Sequence, residues 1–216
     1  MRGTGIRPQW SATIAILVVN VIVYGIDHYL IPAFFPKFPF DAYFELSIPG
    51  LKAGFFWQLL TYQLMHANFL HILLNCWAIY VFGRAVESYL GKGRMLGLYF
   101  ASGIGGGILQ MLGGLVWPEH FGTAAVGASA GAFGLITAFA VLFPQQLLVL
   151  LLFFVIPIRM KAKTMLWLSI AMAVFGIIVP YGNIGHAAHL GGIITGYVFA
   201  RWFLRRSYAP PTNQFY

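Results

Sequence analysis

Four polar side chains interrupt otherwise apolar stretches in a way that suits hydrolysis: His71, Asn75, Ser129 and His189. A serine hydroxyl beside an imidazole is a nucleophile with its general base. A further imidazole and a carboxamide supply donors for the oxyanion that forms when a carbonyl is attacked. His71 and Asn75 are four residues apart and share one helix face, while His189, Gly192 and Gly196 fall on a single stripe of another. Ser129, Ala132 and Phe133 face them from a third helix, and the glycines beneath His189 let two helices pack closely enough for the ring to reach the hydroxyl. The stretch Gly127-Ala128-Ser129-Ala130-Gly131 also has the G-x-S-x-G form of the soluble-hydrolase elbow, but a triad in that order needs an acid beyond the serine. Glu119 is the last acidic residue of the chain, so the chemistry open here is that of a Ser-His dyad, with some other group orienting the imidazole.

These residues must be positioned in lipid. The chain has 216 residues, 60% hydrophobic and 8% charged, with a mean hydropathy of +0.80, whereas a soluble fold carries about 25% charged residues. Apolar runs of roughly 20 residues match the hydrocarbon layer at 10–30, 69–89, 94–117, 127–143, 164–179 and 185–203. The first has no small-residue cleavage site after it and reads as a retained span. A further run, 147–157, has only 11 residues between Pro144 and Pro157 and reads as an interfacial or re-entrant segment.

The expected fold is therefore all-α and polytopic, a compact bundle of six transmembrane helices with both termini cytoplasmic. That orientation places Arg2, Arg7, Arg84, Lys92, Arg94, Arg159, Lys161, Lys163, Arg201, Arg205 and Arg206 inside and leaves Lys37 and Lys52 outside, as the positive-inside rule requires. The net charge of +8 thus reflects topology, and the scattered cations do not form a nucleic-acid surface. The loop 31–57, with Pro32, Pro36, Pro39 and Pro49 among aromatics, is expected half-sunk at the outer interface. A single membrane domain over 1–216 follows, with its core at 57–205 and a tail at 206–216. Glycines at 103, 105–107, 113 and 114 favour close helix packing. Cys76 is the one cysteine, so no internal disulfide forms. Oligomeric state has no signal in the sequence.

Depth brings the polar residues together. Ser129 to Phe143 is 15 residues, about 22 Å of helix against a layer of about 30 Å, so Ser129 sits roughly 8 Å below the outer surface. His189 precedes the cytoplasmic Arg201 by 12 residues, and His71 precedes Arg84 by a similar length, so the four side chains share a leaflet.

Taken with His66, His71-Ile72-Leu73-Leu74-Asn75, Gly83 to Glu87, Gly127-Ala128-Ser129 and Ala188-His189-Leu190-Gly191-Gly192, the stretch 57–205 resembles the rhomboid intramembrane serine proteases. The resemblance implies Ser129 as nucleophile and His189 as general base. It also implies oxyanion stabilisation by His71, Asn75 and the Ser129 N–H, with Gly127 in support and Phe133 packed on the His189 ring. The implied partners are the lipid bilayer and transmembrane protein substrates, cleaved where their helices are unstable, with lateral access between the second and fifth helices. Apart from the resemblance, a short chain without a soluble domain is compatible with a prokaryotic plasma membrane, the location expected. Two positions depart from the family pattern: Ala130 stands where glycine is usual, which is expected to crowd the oxyanion site, and the outer-loop Trp-Arg pair reads Trp57-Gln58, which is expected to alter loop anchoring.

Other uses of these residues fare less well. A non-catalytic rhomboid-like protein that holds helices without cutting them would not need Ser129 and His189. No H-E-x-x-H motif is present, so neither a metal nor another cofactor is expected. Asp27 is the one membrane aspartate available to an aspartyl protease, and a second half without acids offers a transporter little for ion coupling. Ser102 and Ser169 are expected to bond their own helices, Asn20 and Gln110 to bridge helices, Glu87 to tie down a helix end, and His66, His120 and His186 to lie in loops or at the interface.

Overall fold

The computed structural model describes residues 10–152, 156–179 and 184–207. Arg2, Arg7 and residues 208–216 of the expected tail lie outside them, as do the side chains of Arg205 and Arg206. The chain is mostly helical. Helix α1 spans Ala12–Phe34 and passes through π-helical turns at Ile26–Leu30, so it takes up the first residues of the expected outer loop. Short helices α2 (Phe40–Phe44), α3 (Ile48–Lys52) and α4 (Gln58–Thr61) form the rest of that loop, with β1 at Leu46–Ser47. Then follow α5 (Phe69–Leu90) and α6 (Lys92–Val116), the one-turn α7 (Pro118–Phe121) and β2 (Ala124–Ala125). The chain continues through α8 (Ser129–Leu142), β3 (Leu147–Leu152), β4 (Ile156–Lys161), α9 (Ala162–Ile178) and α10 (His186–Ser207). Helices α1, α5 and α6 are each long and apolar enough to cross a bilayer, and α8 and α9 are shorter apolar helices.

Two short strand pairings add to the helical architecture that was expected. The run expected to be interfacial or re-entrant takes strand form in its described residues: β3 pairs antiparallel with β4 from Leu147↔Lys161 to Leu152↔Ile156. The hairpin is joined back to the end of α8 by Ala162 N–H to Gln146 O (2.9 Å) and Lys163 N–H to Pro144 O (3.1 Å). At the other end of the molecule β1 pairs with β2, Leu46↔Ala125 and Ser47↔Ala124.

Capping explains where the helices begin. Asn68 accepts from His71 N–H (2.9 Å) and opens α5. Gly91, at φ +82°, breaks α5 from α6 in a conformation that side chains avoid. The start of α1 is held by Glu87 near the end of α5, which accepts from Ser11 Oγ, Ala12 N–H, Thr13 N–H and Thr13 Oγ at 2.6 to 2.9 Å.

The core lies where α6, α8 and α10 interlock around Tyr99, Leu98, Leu135 and Ala200. Contact there is backbone to backbone. A Cβ on Gly192 would sit 2.2 Å from Ala130 O, one on Gly196 2.7 Å from Gly134 Cα, and one on Gly191 2.7 Å from Gly105 O. With no hydrophobic force to drive helices together in lipid, this close approach is what holds them. The stripe expected on α10 is thus the face that meets α8.

Candidate active site

Three helices begin at one end of the bundle, and each delivers a polar side chain near its first turns. Ser129 is the first residue of α8, where unpaired N–H groups and the positive end of the helix dipole favour negative charge. His189 is in the first turn of α10. Its Nε2 lies 2.9 Å from Ser129 Oγ. Both residues are half-buried, so the pair is screened from bulk solvent without being sealed. The Phe133 ring, one turn along α8, packs at 4.4 Å between centroids on the His189 ring and restricts its rotation.

The loop before Ser129 is fixed from several sides. Gly127 N–H donates to Tyr62 O (2.9 Å), the Tyr62 hydroxyl donates to Gly103 O (2.6 Å), and Ile48 N–H donates to Thr123 O (2.9 Å). Gly127 has φ +126°, and a Cβ there would lie 2.7 Å from His71 Cε1 and Nε2. Glycine is required for both its backbone and its neighbour. Ala67 N–H donates to His71 Nδ1 (3.4 Å), which leaves Nε2 as the protonated nitrogen of a neutral ring, facing the Gly127 turn. Asn75, on the same face of α5, is buried, and its Nδ2 has no hydrogen-bond partner among the described residues. His71, Asn75, Gly127, Ser129, Phe133 and His189 therefore converge on one site.

Both departures from the family pattern have structural accounts. The Ala130 methyl does not point into the site; it faces Gly106 of α6, where a Cβ would come within 2.5 Å of it. The missing side chain at Gly106 makes room for the added one at Ala130. Gln58 is fully buried and anchors the outer loop: its Oε1 accepts from Ser47 N–H (3.1 Å) and its Nε2 donates to Ala42 O (2.9 Å). Trp57 Nε1 adds a bond to Tyr43 O (2.8 Å).

His66, in the loop before α5, is buried, its ring edge-on to His71 at 5.1 Å and its Nδ1 3.2 Å from Leu64 O. Burial, with His71 beside it, pushes its pKa down to about 4. His186 is likewise buried, against Gly176 of α9. His120 stacks on Trp117 and bonds the Ile177 carbonyl, tethering α7 to the end of α9. Ser102 Oγ does not bond its own helix; it is pressed against Gly134 with no partner among the described residues. Asn20 donates to Ile16 O of its own helix and also engages the Tyr99 hydroxyl of α6, so it links helices as expected. Ser169 bonds Met165 O, and Gln110 bridges Phe121 O and Ala188 N–H, as expected. Tyr62, which carries the Gly127 loop, has no motif that marks it, standing between Thr61 and Gln63 in a mixed polar and apolar stretch.

A cluster of serine, histidine and donors at one end of a bundle of apolar helices belongs to an integral membrane protein. The chain belongs to the rhomboid family: the Rhomboid domain model matches residues 53–206. The Bacillus subtilis protein YdcA, provisionally named a rhomboid protease, is 35% identical over 153 residues, 70% of this chain and 69% of its own. Rhomboid protein 1, mitochondrial, of Saccharomyces cerevisiae is 31% identical over 66% of this chain and 40% of its own. Rhomboid protease GluP of Bacillus subtilis is 30% identical over 69% of this chain and 26% of its own. The match thus spans less than half the length of the last two.

Proposed function

We propose that the chain is an intramembrane serine endopeptidase that cleaves other membrane proteins in or near their transmembrane segments. The observation that carries this is the 2.9 Å approach of Ser129 Oγ to His189 Nε2 from two different helices. In the reaction, Nε2 takes the hydroxyl proton as Oγ bonds to the scissile carbonyl carbon. The carbonyl oxygen becomes an oxyanion, held by Ser129 N–H, His71 Nε2–H and Asn75 Nδ2–H. The Asn75 donor, buried and without a partner among the described residues, supports that role, because a donor fixed beside the reacting carbonyl stabilises the charge that develops there. His189 then gives its proton to the departing amine nitrogen as the C–N bond breaks, leaving an acyl ester on Ser129. Water, deprotonated by His189, attacks the ester carbon and releases the acid and the free serine.

Six crossings with cytoplasmic termini fit this reading. The Ser129 end of the bundle then faces outward, and Arg84, Arg94, Arg159, Lys161 and Lys163 gather toward the other. A transmembrane substrate reaches the site laterally between α5 and α9, and its helix must open locally, since an intact helix hides its carbonyls. The location proposed is a prokaryotic plasma membrane, in a family whose members include proteins of Bacillus subtilis and a mitochondrial protein of yeast.

Cleavage of a reporter transmembrane substrate in liposomes tests the assignment. Ser129→Ala and His189→Ala are each expected to lower kcat by about 10³-fold or more, and Asn75→Ala by about 10²-fold. Unchanged cleavage in either of the first two removes the mechanism. A serine-reactive fluorophosphonate separates the enzyme from a rhomboid-like helix binder: Ser129 of the folded enzyme is labelled, whereas inert Ser129 leaves only binding.

A further inference from the structure

At the end of the bundle away from Ser129, the β3–β4 hairpin presents a two-sided sheet. Antiparallel partners share a face, so Leu148, Met160 and Ile158 lie on one side, half-buried, with Leu148 and Met160 packed on the core. The other side carries the pairs Leu147↔Lys161 and Val149↔Arg159. Leu147 is 63% and Val149 56% exposed, and Arg159 and Lys161 are exposed beside them. Lys163, exposed at the start of α9, extends the cationic edge.

We propose that this face docks on the anionic lipid of the membrane's own surface. The charge is one-sided: no acidic residue follows Glu119 in the sequence. The geometry adds to this. The hairpin leaves from the end of one apolar helix, α8, and returns into the start of another, α9, and the bonds at Gln146 and Pro144 hold both its ends to that level. An element so tethered lies at the bilayer surface. There, Leu147 and Val149 sink below the phosphates, while the long stems of Arg159 and Lys161 let their heads rise to meet them. Each cross-strand pair thus puts one group at each of the two depths the interface offers. The inference requires an integral membrane protein and does not depend on the protease reading.

Native mass spectrometry of the full chain, released from vesicles of phosphatidylcholine mixed with phosphatidylglycerol, reads the preference as the ratio of retained lipids. The wild type is expected to favour phosphatidylglycerol, at roughly fivefold per engaged cation. Combined Arg159→Gln, Lys161→Gln and Lys163→Gln abolishes most of that preference, and Arg159→Lys alone preserves it. In a Cys76→Ser background, a nitrobenzoxadiazole dye on Val149→Cys should become shielded from aqueous iodide when phosphatidylglycerol is added. A preference unchanged by the triple substitution overturns the proposal, as does shielding that is equal with and without anionic lipid. A dye that stays open to iodide in both vesicles, on a chain that binds polyglutamate, assigns the face instead to an acidic soluble partner and overturns it as well.

Discussion

His66 shows how a single buried side chain ties the site to pH. It sits outside the helical spans, edge-on to His71, with its Nδ1 committed to Leu64 O and its Nε2 without a partner among the described residues. The folded protein holds this ring neutral, with a pKa of about 4 against the ordinary 6.5. In the unfolded chain the ring gains a proton as the pH falls through 6.5, whereas the folded chain resists until about 4. Stability from this residue is therefore complete above 6.5 and is lost downward across that window, to a total of about 3 kcal/mol. Thermal unfolding in detergent is expected to show His66→Gln less sensitive than the wild type between those limits, and parallel pH curves would remove the argument. The burial of His66 is not legible in the sequence, where it adjoins the short polar stretch before α5. Ala130 makes the same point: its identity is plain in the sequence, but that its methyl faces Gly106 and not the oxyanion site follows only from how α6 meets α8.

At the scale of elements, α8 and α10 place Ser129 and His189 only because glycine lets their backbones touch. A Cβ on Gly192 would lie 2.2 Å from Ala130 O, and a carbonyl in a helix cannot swing aside as a side chain can. Gly192→Ala is thus expected to force the helices apart, to cost about 1–3 kcal/mol, and to lengthen the Ser129–His189 contact enough to suppress fluorophosphonate labelling. Gly25 is the control: it lies in α1 with nothing within 4 Å of a Cβ, so Gly25→Ala should leave labelling intact and be neutral or stabilising by about 0.5 kcal/mol. Equal labelling in both variants would show that the close approach does not position the site. The glycine stripe was readable because a helix repeats its faces every three to four residues, and the long helices because lipid demands long apolar runs. The hairpin was not. Leu147–Leu152 is aliphatic at every position, so it has no alternation to mark a strand, and its partner Ile156–Lys161 is defined by pairing, which a local pattern does not encode.

For the molecule as a whole, the question is what keeps α1 attached, since it precedes the family-matched region 53–206 and most of its surface faces outward. Few of its residues are buried: Ala12, Thr13, Ile16 and Asn20, all on the side toward α5 and α6. Apolar faces gain little from meeting one another in lipid, so association rests on packing and on polar bonds. The main polar bond is the carboxylate of Glu87, which accepts four hydrogen bonds from Ser11, Ala12 and Thr13 and at once caps the start of α1 and joins it to the end of α5. The contact below it is tight as well, because Gly83 lies against Thr13, 3.0 Å from its Cγ2 to a Cβ position. Removing the carboxylate strands two buried N–H groups and the Thr13 hydroxyl. Each such group costs about 1–3 kcal/mol when left unpaired, although water reaching a helix end recovers part of that. Glu87→Ala is therefore expected to lower the melting temperature by roughly 5–10 °C, with Glu87→Gln intermediate because one oxygen still accepts. Ser129 stands at the far end of the bundle, so its labelling below the transition should survive the change. A melting temperature unaltered in Glu87→Ala would mean that α1 is held by its lipid-level packing alone, and loss of Ser129 labelling in a protein that still melts cooperatively would mean that α1 shapes the site as well as the bundle.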